Sequence, residues 1–119
     1  MMRMQGTGLN NTVRVGVNMA GTVANSTFQV RGSVATNIIT TAATIALDET
    51  NYTVILTANV NITLPAANTC TGRIYIIKKT ANGNSVISNF INNTATATTT
   101  IARGVIQLQS DGTNWQQIN

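Results

Sequence analysis

The acidic side chains of the sequence are the three carboxylates Asp48, Glu49 and Asp111, and the chain contains no histidine. Two opposed carboxylates can act as the acid and the base of a glycosidase. Asp48 and Glu49 are adjacent, so their side chains point to opposite faces of an extended segment, and only Asp111 could complete an opposed pair. The absence of histidine excludes Ser-His-Asp triads, Cys-His pairs and imidazole-zinc sites within the chain. We therefore expect no enzymatic activity, no cofactor, and no catalytic or metal-binding residue.

Cys70 is the only cysteine, so the chain has neither an intrachain disulfide nor a thiolate cluster for a metal. With no histidine to activate its thiol, Cys70 is expected to be a packed residue. The net charge of +4 comes from seven basic residues that are scattered along the sequence, and only 4% of the residues are aromatic. Surfaces that bind nucleic acids concentrate their basic residues and interleave aromatic side chains. We expect no nucleic-acid partner.

Two further features could contact a ligand. Lys78 and Lys79 could meet an acidic receptor, but adjacent strand residues face opposite ways, which favours two separate solvated charges. Trp115 follows the Asp111-Gly112 turn and offers a large apolar body with one N–H group. It could be a platform on which a sugar ring stacks, but an aromatic residue in an alternating strand usually packs inward, and we favour that role.

The elements that position these residues are predicted to be β-strands. Ile, Val and Thr account for 44 of the 119 residues, and β-branched side chains fit a pleated sheet better than a helix. Short strands separated by regular turns predict an all-β fold, an antiparallel β-sandwich or a small barrel. The sequence contains neither a secretory signal peptide nor an apolar run long enough to cross a membrane, so no membrane partner is expected.

The clearest predicted hairpin joins residues 72–79 to residues 85–91. Its turn contains Asn82-Gly83, which tolerates positive φ at both central positions, as a type I′ turn requires. The core residues expected from this hairpin are Ile74, Ile76, Val86 and Phe90.

A second hairpin is predicted around Asp111-Gly112, between residues 105–110 and 114–118. The Thr-rich residues 95–100 could form a weak edge strand or a loop.

A third turn is predicted at residues 48–51, between the apolar segments 43–47 and 52–57. Residues 60–64 alternate with period two until Pro65, which lacks an N–H and so ends a central strand.

Residues 1–35 differ from the remainder, because glycines interrupt short apolar pieces that cannot close a core alone. We therefore predict a Gly-rich extended leader at residues 1–35 and a compact antiparallel β domain at residues 36–119. Only 8% of the residues are charged, so few charges protect the strand edges from pairing with other chains. The leader cannot close a core alone and the strand edges lack protecting charges, and both properties predict an oligomer. The candidate interchain core of this oligomer is Val13, Val15, Val17, Phe28 and Val30.

Three segments carry a resemblance to a known family: Thr63-Leu64-Pro65-Ala66-Ala67, Gly72-Arg73-Ile74-Tyr75-Ile76-Ile77-Lys78-Lys79 and Gln109-Ser110-Asp111-Gly112-Thr113-Asn114-Trp115. Residues 38–119 resemble a small β module of tail-fibre, tail-spike and head-fibre proteins of tailed bacteriophages, especially those of Bacteroidota hosts. In the leader, Arg14-Val15-Gly16-Val17 and residues 28–33 are similar to short Gly-marked repeats that precede this module. The resemblance implies a trimeric virion appendage and assigns no catalytic residue.

Each matched residue also has a local structural reason to be present. Pro65 ends a strand, Gly72 opens the next one, and the two glycine-marked turns reverse the chain. The structural-motif residues are therefore Leu64, Pro65, Gly72, Asn82, Gly83, Asp111, Gly112 and Trp115.

Two functions follow as hypotheses. The first is a non-enzymatic structural component of a bacteriophage virion, a short fibre, spike or capsid-decorating protein. It would be a homotrimer located on the virion, and its leader would contact other virion proteins. The second is a carbohydrate-binding adhesin module in which Asn and Thr side chains, with Trp115 or a tyrosine, engage a glycan of the host surface.

Overall fold

A computed structural model of the protein describes the backbone of residues 2–6 and all atoms of residues 13–119. The chain divides into two compact units, Met1–Ala35 and Thr36–Asn119, which we call the leader unit and the coil unit. The described residues form β-strands and one 3-10 turn at Ala67–Thr69, so the fold class is all-β. They include no helix that is long and apolar enough to cross a membrane.

The leader unit contains a three-stranded sheet of β1 (Met2–Gly6), β2 (Val13–Val17) and β3 (Phe28–Val30). β2 is central, antiparallel to β1 and parallel to β3.

Gly16 in β2 faces Met19 and Ala24, which are both buried. A Cβ atom at Gly16 would lie only 2.5 Å from Cγ of Met19, so the close approach of Met19 requires glycine here. We did not expect from the sequence that the leader would form a sheet from its own strands.

The coil unit contains the remaining nine strands of the described chain. They are β4 (Ile38–Thr41), β5 (Ile45–Ala46), β6 (Thr53–Leu56), β7 (Ile62–Thr63), β8 (Ile74–Lys79), β9 (Ser85–Ile91), β10 (Ala97–Ile101), β11 (Gly104–Ser110) and β12 (Trp115–Gln117).

From β4 to β9, successive strands alternate between two sides of a coil. On one side β4, β6 and β8 pair in parallel, and on the other side β5, β7 and β9 pair in parallel. β11 then pairs antiparallel with β8, and β12 lies between β11 and β9. The strand order β4-β6-β8-β11-β12-β9-β7-β5 makes one curled, open sheet, a half-barrel, with β10 on the free side of β9.

The prediction of an antiparallel sheet is therefore wrong, because five of the eight pairings in the coil unit are parallel. The hairpin expected around Asn82-Gly83 does not form. A type I′ turn needs positive φ at both central residues, and of these two only Gly83 has it, with φ of 83°. The loop instead carries the chain from one side of the coil to the other, and β8 pairs with β6 and β11.

The hairpin predicted around Asp111-Gly112 is present. β11 and β12 pair antiparallel, with Ser110 opposite Trp115, and Gly112 has φ of 91°. Residues 97–101 form an edge strand, β10, which pairs with β9 and is irregular between Thr98 and Thr100. Of the two alternatives for the Thr-rich segment, the structure therefore shows the edge strand.

The turn predicted at residues 48–51 is also present, since the N–H of Asn51 donates to the carbonyl oxygen of Asp48. The strands on its two sides do not pair with each other, because β5 pairs with β7 whereas β6 lies between β4 and β8. β7 ends at Thr63, two residues before Pro65, as expected for a residue that cannot donate to a sheet.

The core lies inside the coil, and on β8 it is formed by the face of the strand opposite to the predicted one. Tyr75 and Ile77 are buried, whereas Ile74 and Ile76 are only partly buried. Four consecutive apolar residues in β8 give no alternation from which the inward face could be identified. On β9, Phe90 is buried as predicted, but Val86 is 54% exposed. The core residues are Leu47, Val54, Leu56, Ile62, Leu64, Ala67, Cys70, Tyr75, Ile77, Ile87, Phe90, Ile101, Ile106, Leu108 and Trp115.

Candidate functional site

Trp115 lies in the core, with only 3% of its surface exposed. Its indole N–H donates to the carbonyl oxygen of Pro65 at 2.8 Å, and its ring lies 5.2 Å from that of Tyr75. The Tyr75 hydroxyl in turn donates to the carbonyl oxygen of Asp48 at 2.7 Å. Neither ring offers a face on which a sugar could stack, so these two aromatic residues are not a glycan platform.

The three segments that carry the family resemblance meet around this tryptophan. The Ser110 hydroxyl donates to the carbonyl oxygen of Ala67 at 2.6 Å, and the N–H of Gly72 donates to the carbonyl oxygen of Ser110 at 2.8 Å. A Cβ atom on Gly112 would lie 2.8 Å from Oγ1 of Thr71, so the hairpin turn fits closely against the loop before β8. Leu64 is buried beside them. These motif residues hold the coil together and leave no open site.

Asn82 and Gly83 belong to a different structure, in which the loop after β8 encloses a buried ammonium group. Lys79 is 2% exposed, and its Nζ donates to Oδ1 of Asn59 at 2.5 Å and to the carbonyl oxygens of Ala81 and Gly83 at 2.7 and 2.9 Å. These three oxygens replace the water that would hydrate the charge.

The prediction of two solvated lysines is therefore wrong for Lys79 and correct for Lys78, which is exposed. The side chains of Lys78 and Lys79 point to opposite faces of β8, as predicted. The loop that encloses Lys79 also positions Asn82, whose Oδ1 accepts a hydrogen bond from Nη1 of Arg103 at 3.1 Å.

The two ends of β8 differ in charge, because the side-chain carboxylates share one end with a single cation, Arg73, whereas the charged side chains at the other end are all cations. Tyr75, near the start of β8, bonds to Asp48, and β11 places Gln109 opposite Ile74 just before Asp111. At the other end lie Lys78 and Lys79, with Gly104 and hence the adjoining Arg103 paired opposite Lys79. Six strand residues separate the two ends by about 17 Å. All three side-chain carboxylates of the sequence thus lie away from the end that carries Lys78 and Arg103.

The carboxylates at the acidic end are held by local hydrogen bonds. The backbone N–H of Asn114, the side-chain amide of Gln116 and the backbone N–H of Thr113 hold the pKa of Asp111 below its ordinary value. The hydroxyl and then the backbone N–H of Thr50 lower the pKa of Asp48 in the same way. These two aspartates stabilise the turns in which they lie and are not poised as general acids.

The coil unit has a cleft between β10 and β11. Only Ala102 and Arg103 connect these strands, yet β10 pairs with β9 and β11 pairs with β8, so a gap remains between them. The cleft has a volume of about 310 Å³. The core residues at its base are Ile77, Phe90, Ile101 and Ile106, and the polar residues along its walls are Asn92, Thr98, Thr100, Arg103 and Gln117.

A second hollow, of about 350 Å³, adjoins this cleft. It is lined by Lys78, Lys79, Thr80, Arg103, Gly104 and Val105. Arg103, Gly104 and Val105 therefore belong to both hollows. The two hollows adjoin along these three residues, and we call them together the β10–β11 groove. Arg103 is the exposed cation that lines both, whereas Lys78 points to the face of β8 opposite to Ile77 and lines only the second hollow.

No pattern in the sequence indicates this groove. Lys78 and Arg103 are 25 positions apart and appear as isolated charges. They become neighbours because β8 and β11 pair antiparallel, with Val105 opposite Lys78. Such a pairing has no local signal in the sequence.

The leader unit presents a second candidate surface. Val13, Val15 and Val17 share one face of β2, and the register places Phe28 beside Val15 and Val30 beside Val17. None of these five side chains is buried, and Phe28 is 63% exposed. The five residues predicted as an interchain core therefore form one apolar face, which we call the leader face.

The thiol of Cys70 is buried and free. Within residues 13–119, the side chains of Asp, Glu and Cys nowhere come together in a group of three that could bind a metal ion. No protein-family model, no curated protein and no solved structure matches this chain.

Proposed function

We propose that the protein is a non-enzymatic structural component of a bacteriophage virion that assembles as a homotrimer through the leader face. The observation that carries this proposal is the set of five in-register apolar side chains on that face, none of which is buried within the chain. Apolar surface of this kind is stabilised by burial against another protein.

A second copy is the occupant that best fits this face. The leader face carries no charged side chain, so it has no electrostatic complement to select a different partner. Identical faces around a symmetry axis would bury one another and would at the same time cover the outer edge of β3, which among the described strands pairs only with β2. Three-fold assembly is the state implied by the resemblance to phage fibre modules.

In this proposal the coil unit is the displayed part. Its two sets of parallel strands, β4-β6-β8 and β5-β7-β9, are joined through β11 and β12. Hydrogen bonds from Ser110 and Trp115 stabilise the core beside these two joining strands. A unit of this kind suits a virion appendage, which has to stay folded outside the cell without disulfides.

The proposal is tested on purified phage particles that encode this chain. We expect mass spectrometry of washed particles to find the chain in a copy number divisible by three, and cryo-EM to place it in a three-fold appendage. Absence of the chain from washed particles, together with abundant chain in the soluble lysate, would overturn the virion assignment.

A further inference from the structure

We propose that the β10–β11 groove binds a saccharide chain that carries carboxylate groups. This proposal does not rest on trimer assembly or on a virion location, because it concerns the coil unit alone.

The shape of the groove fits a small polar ligand. The volume of its cleft, about 310 Å³, lies at the lower end of the range of about 300–1,000 Å³ that is typical of small-molecule sites. Its base is apolar, and amide and hydroxyl groups project from its walls. A sugar ring has the same division, with C–H surfaces on its faces and hydroxyl groups around its rim.

Several polar groups on the walls are available to a ligand. Within the described residues, the hydroxyl of Thr100 and the Nδ2 amide group of Asn92 form no hydrogen bond. Arg103 uses one nitrogen, Nη1, to bond Asn82, and its other N–H donors have no partner in the part of the chain that the structure describes. The bond to Asn82 also holds the guanidinium group at the junction of the two hollows.

The charge of the groove selects an acidic saccharide over a neutral one. Arg103 lines both the cleft and the second hollow, Lys78 lines the second hollow, and every side-chain carboxylate of the chain lies toward the other end of β8. The planar guanidinium group matches a carboxylate with two parallel N–H donors. Two exposed cations suit a polymer with sparse charges, whereas polyphosphates and nucleic acids are matched by denser arrays of cations and by exposed aromatic rings.

The test measures binding of the full chain to carboxylated oligosaccharides by calorimetry at low salt. The panel is oligogalacturonate, oligomannuronate, hyaluronan oligomers and oligosialic acid, with dextran as the neutral control and polyphosphate as the general polyanion. We expect at least one carboxylated member to bind, and we expect its methyl ester, dextran and polyphosphate to bind more weakly.

Arg103→Gln should weaken this binding by roughly tenfold or more, because it removes a charge-assisted hydrogen bond. The matched control is Arg31→Gln, which makes the same change of charge at an exposed arginine of the leader unit and should have no effect. Thr100→Val keeps the charge and should also weaken binding, and thermal melting verifies that each variant is folded.

Four results would overturn the proposal. They are binding by no carboxylated member, equally tight binding of dextran, tighter binding of polyphosphate, and an equal loss of affinity in Arg31→Gln and Arg103→Gln. Light scattering of the same samples reports the oligomeric state separately, so failure of the glycan site and failure of the assembly proposal are distinguishable.

Discussion

The indole N–H of Trp115 donates a 2.8 Å hydrogen bond to the carbonyl oxygen of Pro65, which lies fifty residues earlier in the chain. The bond joins the final hairpin to the loop that follows β7. Pro65 cannot donate to a sheet, but its carbonyl oxygen can accept, and Trp115 is the donor that satisfies it. The two residues thus form one structural unit despite their separation in sequence.

Replacing Trp115 should destabilise the coil unit strongly. Trp115→Ala removes a buried ring, and we expect the free energy of unfolding to fall by about 3–5 kcal/mol. Trp115→Phe keeps an aromatic ring but leaves the Pro65 carbonyl without its donor, and should cost about 1–3 kcal/mol. Urea denaturation followed by circular dichroism measures both. Unchanged stability of Trp115→Ala would show that the ring is not part of the core.

Three oxygen atoms accept hydrogen bonds from Nζ of Lys79, and we call them its oxygen cage. The cage predicts that substitutions of the adjacent residues Lys78 and Lys79 change stability by different amounts. Lys79→Met leaves Oδ1 of Asn59 and the carbonyl oxygens of Ala81 and Gly83 without a donor. We expect a loss of about 1–3 kcal/mol in the free energy of unfolding. Lys78→Met, at the exposed neighbour, should change it by less than about 0.5 kcal/mol. Equal effects of the two substitutions in urea denaturation would contradict the cage.

The hydrogen bonds at Asp111 predict lower stability in acid. They lower its pKa in the folded state below the ordinary value of 3.8, so their stabilisation is present above that pH. It is lost as the pH falls through the lowered folded-state pKa. The melting temperature should therefore drop between about pH 4 and pH 2, and Asp111→Asn should reduce this drop. Glu49→Gln is the control, because the Glu49 carboxylate accepts no hydrogen bond among the described residues and the drop should persist.

The leader face predicts that oligomeric state depends on Phe28. Light scattering of the full chain at micromolar concentration should give three times the chain mass of 12.6 kDa. Phe28→Ser removes a ring that is 63% exposed in the single chain, so it should shift the mass toward one chain without unfolding it. Val86→Ser, at a 54% exposed position of the coil unit, should leave the mass unchanged. A wild-type chain that stays monomeric across the concentration range would contradict the trimer.

The sequence predicted the features of the fold that depend on local chemistry. The all-β class follows from β-branched residues, and the turn at Asp111-Gly112 follows from residues that tolerate its backbone angles. The pairing of β8 could not be predicted, because Asn82-Gly83 is compatible with a hairpin and with a crossover. Burial of Lys79 was unexpected for a related reason, since its acceptors lie in Asn59 and in a loop whose path the sequence does not specify.

The leader face and the β10–β11 groove also differ in how far they can be predicted from the sequence. The five leader-face residues were identifiable because Val13, Val15 and Val17 alternate within one strand, although their alignment with Phe28 and Val30 required the structure. The β10–β11 groove was not identifiable. Its walls come from segments that become adjacent only when β11 pairs with β8 and leaves β10 behind.

The position of β12 has a consequence for synthesis of the protein on the ribosome. β12 joins the two sides of the coil through β11 and β9, and its residues are made after all the strands that it connects. Until residue 117 has left the ribosome, the nascent coil cannot close, and an edge of β9 and the core beside Pro65 stay uncovered. Chains translated next to each other on one messenger RNA would expose these edges to one another. Correct folding therefore depends on rapid closure or on protection of the nascent chain by chaperones.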